Sequence, residues 1–170
     1  NAQRDGIKLW NTMLEAGKSY NISPGGPSLI RRLEHGIRNY GQDMRLENNP
    51  YEVGLGFTVD LDQKADFIGK EALIQIKGQK LKQKIVGIEF GTERMKGWNE
   101  DCWPVMENGK QIGSVTTAAY SPGLKKNIGF AMLPIEKTEI GTKITILARD
   151  VKTDATIIKE PFVKGKEKSI

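Results

Sequence analysis

The 170-residue sequence predicts an α+β chain: a mainly helical segment over residues 1–79, then an antiparallel β-domain of barrel or jelly-roll type over residues 80–170. Three observations carry that reading. Apolar residues recur at helical spacing through the first part. After Lys84 the sequence breaks into short β-prone runs, and glycine, proline or charge clusters separate those runs at roughly regular intervals, the pattern of a sandwich or small barrel.

The elements follow in order. Ile7, Trp10, Met13 and Leu14 lie at helical spacing and Ala16-Gly17 stops the pattern, so residues 5–16 read as an amphipathic helix. Ser23-Pro24-Gly25-Gly26-Pro27 is a turn. In the next helix Leu29, Ile30, Leu33, Ile37 and Tyr40 fall within an arc of about 100°, a core-facing stripe, with Arg31 and Arg38 opposite. Ser28, Arg32 and Asn39 share a flank beside it, next to Gly36, where a missing side chain leaves room for an approaching group. Asn48-Asn49-Pro50 is a turn, Gly54–Val59 reads as a short strand or extended segment, and Asp66–Leu73 reads as a capped helix running to about Ile76. The expected strands are Ile85–Phe90, Pro104–Met106, Gln111–Ala119, Ile128–Leu133, Lys143–Ala148 and Ala155–Ile158.

Composition narrows the function classes. At this length roughly 70% of the unfolded chain's surface can be buried, so a core needs no disulfide or metal. One cysteine, Cys102, and one histidine, His35, leave no parts for an internal disulfide, a Cys-cluster or His-rich metal site, or a Ser-His pair. The net charge of +5 is dispersed apart from Lys80, Lys82 and Lys84 and a tail with Lys164, Lys166 and Lys168, so no nucleic-acid partner is expected. No apolar run has the length of a membrane span, no signal-peptide core opens the chain, and a cytoplasmic protein is expected. The chain opens at Asn1 rather than Met and passes at once into helical sequence, as expected of a fragment or of a processed product.

Conventional sites are sparse. Gly69-Lys70-Glu71 lacks the rest of a P-loop, and no strand leads into a G-x-G-x-x-G turn. His35 falls on the polar side of its helix. Cys102 sits between Asp101 and Trp103, with no basic neighbour in sequence to activate it. Trp98 and Trp103 either cap one end of the β-domain or wall a cationic ligand. Arg32, half-buried on its flank, requires an anionic or carbonyl partner, from the protein or from a ligand.

A resemblance carries the reading further. Leu9–Gly17, Arg32-Leu33-Glu34-His35-Gly36 with Tyr40-Gly41-Gln42-Asp43, Asn49-Pro50-Tyr51-Glu52-Val53-Gly54-Leu55, Asp66-Phe67-Ile68-Gly69-Lys70-Glu71-Ala72-Leu73, Ile112–Thr117, Ser121–Gly129 and Glu160-Pro161-Phe162 resemble, in order, motifs of the aminomethyltransferase family, the glycine cleavage T-protein and its relatives. The resemblance implies the C-terminal part of a three-domain fold around a folate pocket: the end of the folate-binding region, then a C-terminal barrel. It implies tetrahydrofolate as cofactor and one-carbon transfer as the reaction. Catalytic residues would lie in an N-terminal half preceding Asn1, leaving none in this chain and making that half its partner.

Two departures stand out. T-proteins proper have an arginine four residues before the R-L-E motif, where this chain has Ser28, and a folate-contacting tyrosine near the position of Glu167. Pro27–Glu34, Tyr40–Met44 and Glu47–Pro50 are more similar to the dimethylsulfoniopropionate demethylase branch, which implies a small-molecule methyl donor. A sulfonium is already an activated donor, so such an enzyme mainly holds acceptor and donor together. Ser28, Arg32 and Tyr40 are then the cofactor-side candidates: Arg32 pairs with a carboxylate, and the Tyr40 ring, read first as core, is a candidate to face a cation. The alternatives are a glycine cleavage aminomethyltransferase, which would require a lipoyl carrier protein, and a non-enzymatic folate-binding relative. The latter usually carries K-G-C-Y-x-G-Q-E, and Asp66–Glu71 has no cysteine.

Overall fold

The computed structural model describes residues 2–26 and 28–163; Pro27, the C-terminal lysines and Glu167 lie outside the described residues. Helix α1 spans Ala2–Gly17, as its periodicity requires, and packs chiefly on the 3-10 turn Lys18–Tyr20 that follows. Its apolar side is therefore open: Ile7, Leu9, Trp10 and Met13 are all exposed.

Helix α2 is shorter than its stripe implies, Leu29–Glu34. Ser28 caps its start, its Oγ accepting from the Arg31 N–H at 3.2 Å. Gly36 ends it at φ +73°. The Gly36 N–H donates to Leu33 O at 3.0 Å and the Ile37 N–H to Arg32 O at 2.8 Å, the two bonds of a Schellman C-cap. The stripe is broken accordingly. Leu33 is fully buried, while Ile37 and Tyr40, expected in the core, are 56% and 66% exposed.

The expected strand at Gly54–Val59 is instead a turn followed by the 3-10 turn Gly56–Thr58. Asn49 Oδ1 accepts from the N–H groups of Tyr51 and Glu52, at 3.0 and 3.1 Å, and Gly54 takes φ +74°, so the chain coils here. Helix α3, Lys70–Lys77, begins later than its motif implies. Asp66 does not cap it; its Oδ1 accepts from the adjacent Phe67 N–H, and the helix starts from Gly69 at φ +89°.

The β-domain is a closed antiparallel barrel of β1 (Gln83–Phe90), β2 (Trp103–Glu107), β3 (Lys110–Ser121), β4 (Lys126–Pro134), β5 (Lys143–Ala148) and β6 (Val151–Ile158). The strand order is β1-β4-β3-β2-β5-β6, closed by β6 on β1. All six expected runs become strands; in β1, β3 and β4 both faces are covered, so consecutive residues are buried, while the barrel interior takes alternate ones such as Val86, Ile88 and Phe90. Val86, Ile88, Phe90, Val105, Val115, Ala131, Leu133, Ile146 and Ile157 belong to one buried cluster. A second cluster joins Leu33 of α2 and Val53 of the loop to Ile85, Ala119, Ile128 and Phe130 of the strands.

The β3–β4 ladder carries a bulge. Val115 pairs with Ala131 and Thr117 with Phe130, leaving Thr116 as the extra residue. Val115 and Ala118, three residues apart, consequently share the interior cluster. Opposite the bulge, a Cβ on Gly129 would lie 2.6 Å from Thr117 O, a backbone atom that cannot step aside. Gly129→Ala should therefore cost about 2 kcal/mol in urea denaturation, by overpacking alone; a change near zero would mean the ladder yields there.

Candidate functional site

The turn Asn39–Met44 returns the chain to the outer face of the barrel at the bulge, and the site is built where it lands. The Asp43 side chain is 0% exposed. Its Oδ2 accepts from Arg32 Nη1 at 2.7 Å and from the Asn39 N–H at 2.9 Å. Its Oδ1 accepts from the hydroxyls of Thr116 at 2.7 Å and Thr117 at 2.5 Å. In a regular strand consecutive side chains face opposite ways, and the bulge lets both threonines reach one oxygen.

Arg32 has the protein partners its flank requires. Nη1 also donates to Ile37 O at 3.0 Å, and Nη2 donates to Gln42 Oε1 at 2.9 Å and Thr117 Oγ1 at 3.0 Å. Its Nε is buried and has no hydrogen-bond partner among the described residues. The flank itself is a pocket of about 470 Å³ lined by Ser28, Leu29, Arg31, Arg32, His35, Ile37 and Asn39. Ser28, Arg32 and Asn39 thus meet as their spacing implies; Tyr40 is not among the lining residues.

A second buried ion pair holds the C-terminal strap. Arg38, expected on the solvent side, is only 6% exposed at its side chain and pairs through Nη2 with Glu160. Its guanidinium lies 3.8 Å over the Phe130 ring, which stacks on Phe162 at 5.9 Å. The approach beside Gly36 is therefore made by this chain: Glu160 and Pro161 are the neighbours a Cβ there would meet. Burial pushes the Glu160 carboxyl above its ordinary value, against the opposing field and hydrogen bond of Arg38.

Trp103 is buried edge-on against Phe90, ring centroids 5.8 Å apart, within the cluster that fills the barrel. Trp98 is 55% exposed and lines with Trp103 an open, acidic cleft that includes Asp101 and Asp150. Cys102 is an exposed residue whose thiol is nonetheless shielded enough that burial pushes it up; Arg45, close in space though not in sequence, opposes this, and Asp43 and Asp101 reinforce it. That is the setting of an unreactive thiol. His35 is exposed, its Nδ1 2.8 Å from Arg31 O.

The spacing analysis assigned no role to Asp43, Thr116, Thr117 or Glu160. Asp43 and the two threonines stand inside motifs quoted for the resemblance, but only the bulge brings them together. Arg38 and Glu160 are 122 residues apart and carry no local signal of pairing.

A short helical segment packed on a closed six-stranded antiparallel barrel, joined through a buried Arg–Asp pair, defines a class of α+β proteins with a C-terminal barrel. The family models agree with it. Residues 83–164 match the glycine cleavage T-protein C-terminal barrel domain, and residues 1–63 match the GCVT N-terminal domain. The chain belongs to the glycine cleavage T-protein family. It is 39% identical over 164 residues to an aminomethyltransferase of Geobacillus sp. (strain WCH70), covering 95% of this chain and 44% of that protein. It is 36% identical to the aminomethyltransferase of Symbiobacterium thermophilum, 95% and 43% covered, and 35% identical to that of Bacillus subtilis strain 168, 94% and 44% covered. The chain therefore spans less than half the length of these relatives. The crystal structure of glycine cleavage system aminomethyltransferase T from Bartonella henselae shares the fold at TM-score 0.70 and 23% identity, over 79% of this chain and 37% of that one. Among the described residues no helix is long and apolar enough to cross a membrane.

Two outcomes follow. Asp43→Asn keeps the shape but leaves Arg32 without its counter-charge, and should cost about 3–5 kcal/mol in urea denaturation; a loss under about 1 kcal/mol would mean that the threonines and carbonyls suffice. Because the native Glu160 pKa is raised, its contribution to stability is present below the ordinary carboxyl value of 4.5 and is lost as pH rises through the native value. Denaturation curves across that window should show this fall, and the slope it adds should be missing from Glu160→Gln.

Proposed function

We propose that this chain is part of a tetrahydrofolate-dependent one-carbon transferase, acting as the aminomethyltransferase of a glycine cleavage system. The observation that carries the reading is the pocket beside α2. It combines apolar walls from Leu29 and Ile37 with Arg31, Arg32 and two polar side chains, a lining suited to a flat aromatic ligand with an anionic tail. The buried, unpartnered Nε of Arg32 beside it is a donor that a folate carbonyl or carboxylate would satisfy. The residues present therefore fit the cofactor, with Ser28, Arg32 and Asn39 holding it; Tyr40 does not line the pocket. Bound tetrahydrofolate supplies the nitrogens that accept the one-carbon unit. The chain's own part is positional: the Asp43 network fixes the Arg32 guanidinium in one orientation, and the Schellman turn at Gly36 sets Asn39 across from Ser28.

The names of the relatives favour the aminomethyl reaction over the demethylase implied by the sequence. A glycine cleavage role requires an aminomethylated lipoyl carrier protein as donor and an upstream half supplying the catalytic group. The open apolar side of α1 supports the need for that half. In this reading residues 1–79 end the folate-binding region, residues 80–170 form the barrel domain, and the protein works in the cytoplasm. One observation keeps the demethylase of dimethylsulfoniopropionate type as a second reading: Ser28, a helix cap here, stands where T-proteins have a folate-contacting arginine.

The protein with its upstream half, given tetrahydrofolate and the aminomethylated carrier, should form 5,10-methylenetetrahydrofolate, releasing ammonia and the dihydrolipoyl carrier. Formation of 5-methyltetrahydrofolate from dimethylsulfoniopropionate instead would select the second reading, and absence of folate binding in calorimetry would overturn both. Asn39→Ala should raise KM for tetrahydrofolate about tenfold, the effect of one lost polar contact, and leave the melting temperature unchanged.

A further inference from the structure

We propose that a second groove, on the other side of the Gly36 turn, binds a small amphipathic carboxylate: an aliphatic or aryl chain ending in one negative charge. The groove encloses about 760 Å³ between the loop Val53–Phe57 and the outer face of β1, with β6 and the strap behind it. Its volume is that of a small-molecule site, and its composition follows the same rule of apolar walls with a few convergent polar groups. Val53, Leu55, Ile85 and Ile158 line the walls. Phe57, Ile140 and Ile37 stand at the rim, 85%, 62% and 56% exposed, an apolar surface left open among the described residues.

Charge decides the class of occupant. Arg38 and Glu160 line the groove as a neutralised pair. Lys84 also lines it, is exposed, and forms no salt bridge among the described residues. Its field also falls on Glu160, so the three charged groups of the lining, Arg38, Lys84 and Glu160, sum to one net positive charge, which one carboxylate balances and a dianion would not. A bare inorganic anion would leave the apolar walls wet, whereas a chain with a carboxylate head uses both features. Ser28, Arg32 and Asn39 do not line this groove, while His35 and Ile37 border both it and the pocket beside α2.

Octanoate is the probe, with 1-octanol as its uncharged counterpart, titrated calorimetrically into the protein with its upstream half. Octanoate should saturate a single site, and octanol should bind about tenfold more weakly. Lys84→Glu should weaken octanoate about tenfold with little effect on octanol. Phe57→Ser and Ile140→Ser, both at exposed positions and so compatible with folding, should weaken both probes. Saturating tetrahydrofolate should leave the octanoate affinity unchanged. No saturable binding, equal affinity for the two probes, indifference to Lys84→Glu, indifference to both rim substitutions, or competition by tetrahydrofolate would each overturn the proposal.

Discussion

A carboxylate with no access to solvent must be met by donors on every side, and Asp43 is met by four: Arg32, the Asn39 amide and the hydroxyls of Thr116 and Thr117. That fills the acceptor capacity of the group. The donors come from α2, the turn after it and the bulged strand β3, so one side chain fixes three elements relative to one another. Desolvating such a pair is costly, and the return is a defined geometry. The register of β3 and the orientation of the Arg32 guanidinium both depend on it, and the pocket beside Ser28 takes its shape from that orientation.

The strap adds a second constraint on the same turn. Glu160 and Phe162 lie where a side chain on Gly87 would be, 2.6 and 3.0 Å from its Cβ position, so the strand leaves room for the strap. The Val163 N–H donates to Glu34 O at 3.2 Å, closing the strap onto the end of α2. Gly36 is therefore held between two buried arginines, one facing each pocket: Arg32 toward the Ser28 flank and Arg38 toward the groove. The two pockets are back to back across a turn that neither ligand could move without disturbing an ion pair.

Much of this was legible in the sequence, and the omissions have physical causes. The six strands could be read because their β-prone composition and the glycine, proline and charge clusters between them are local signals. The flank of Ser28, Arg32 and Asn39 was also legible, although the route to it was wrong: a continuous helix to Tyr40 was expected, whereas the Schellman turn at Gly36 brings Asn39 round instead. Glycine three residues after the last buried leucine was the available signal for that stop. The extended reading of Gly54–Val59 weighed its apolar residues above two glycines and an Asn-Pro turn. Arg38 was assigned to solvent because helical projection continued past the cap, and its partner lies at the far end of the chain. No pattern within a strand announces that two adjacent threonines will face the same way.

The central claim is that α2 and the Asn39–Met44 turn belong to the barrel's cooperative unit through Asp43. Native-state hydrogen exchange tests it directly. The account predicts that the amides of Arg32 and Asp43, which donate to Ser28 O and Asn39 O, exchange with the same free energy and urea dependence as those of β3 and β4. Exchange of these two amides by a local opening several kcal/mol below the barrel's would contradict it.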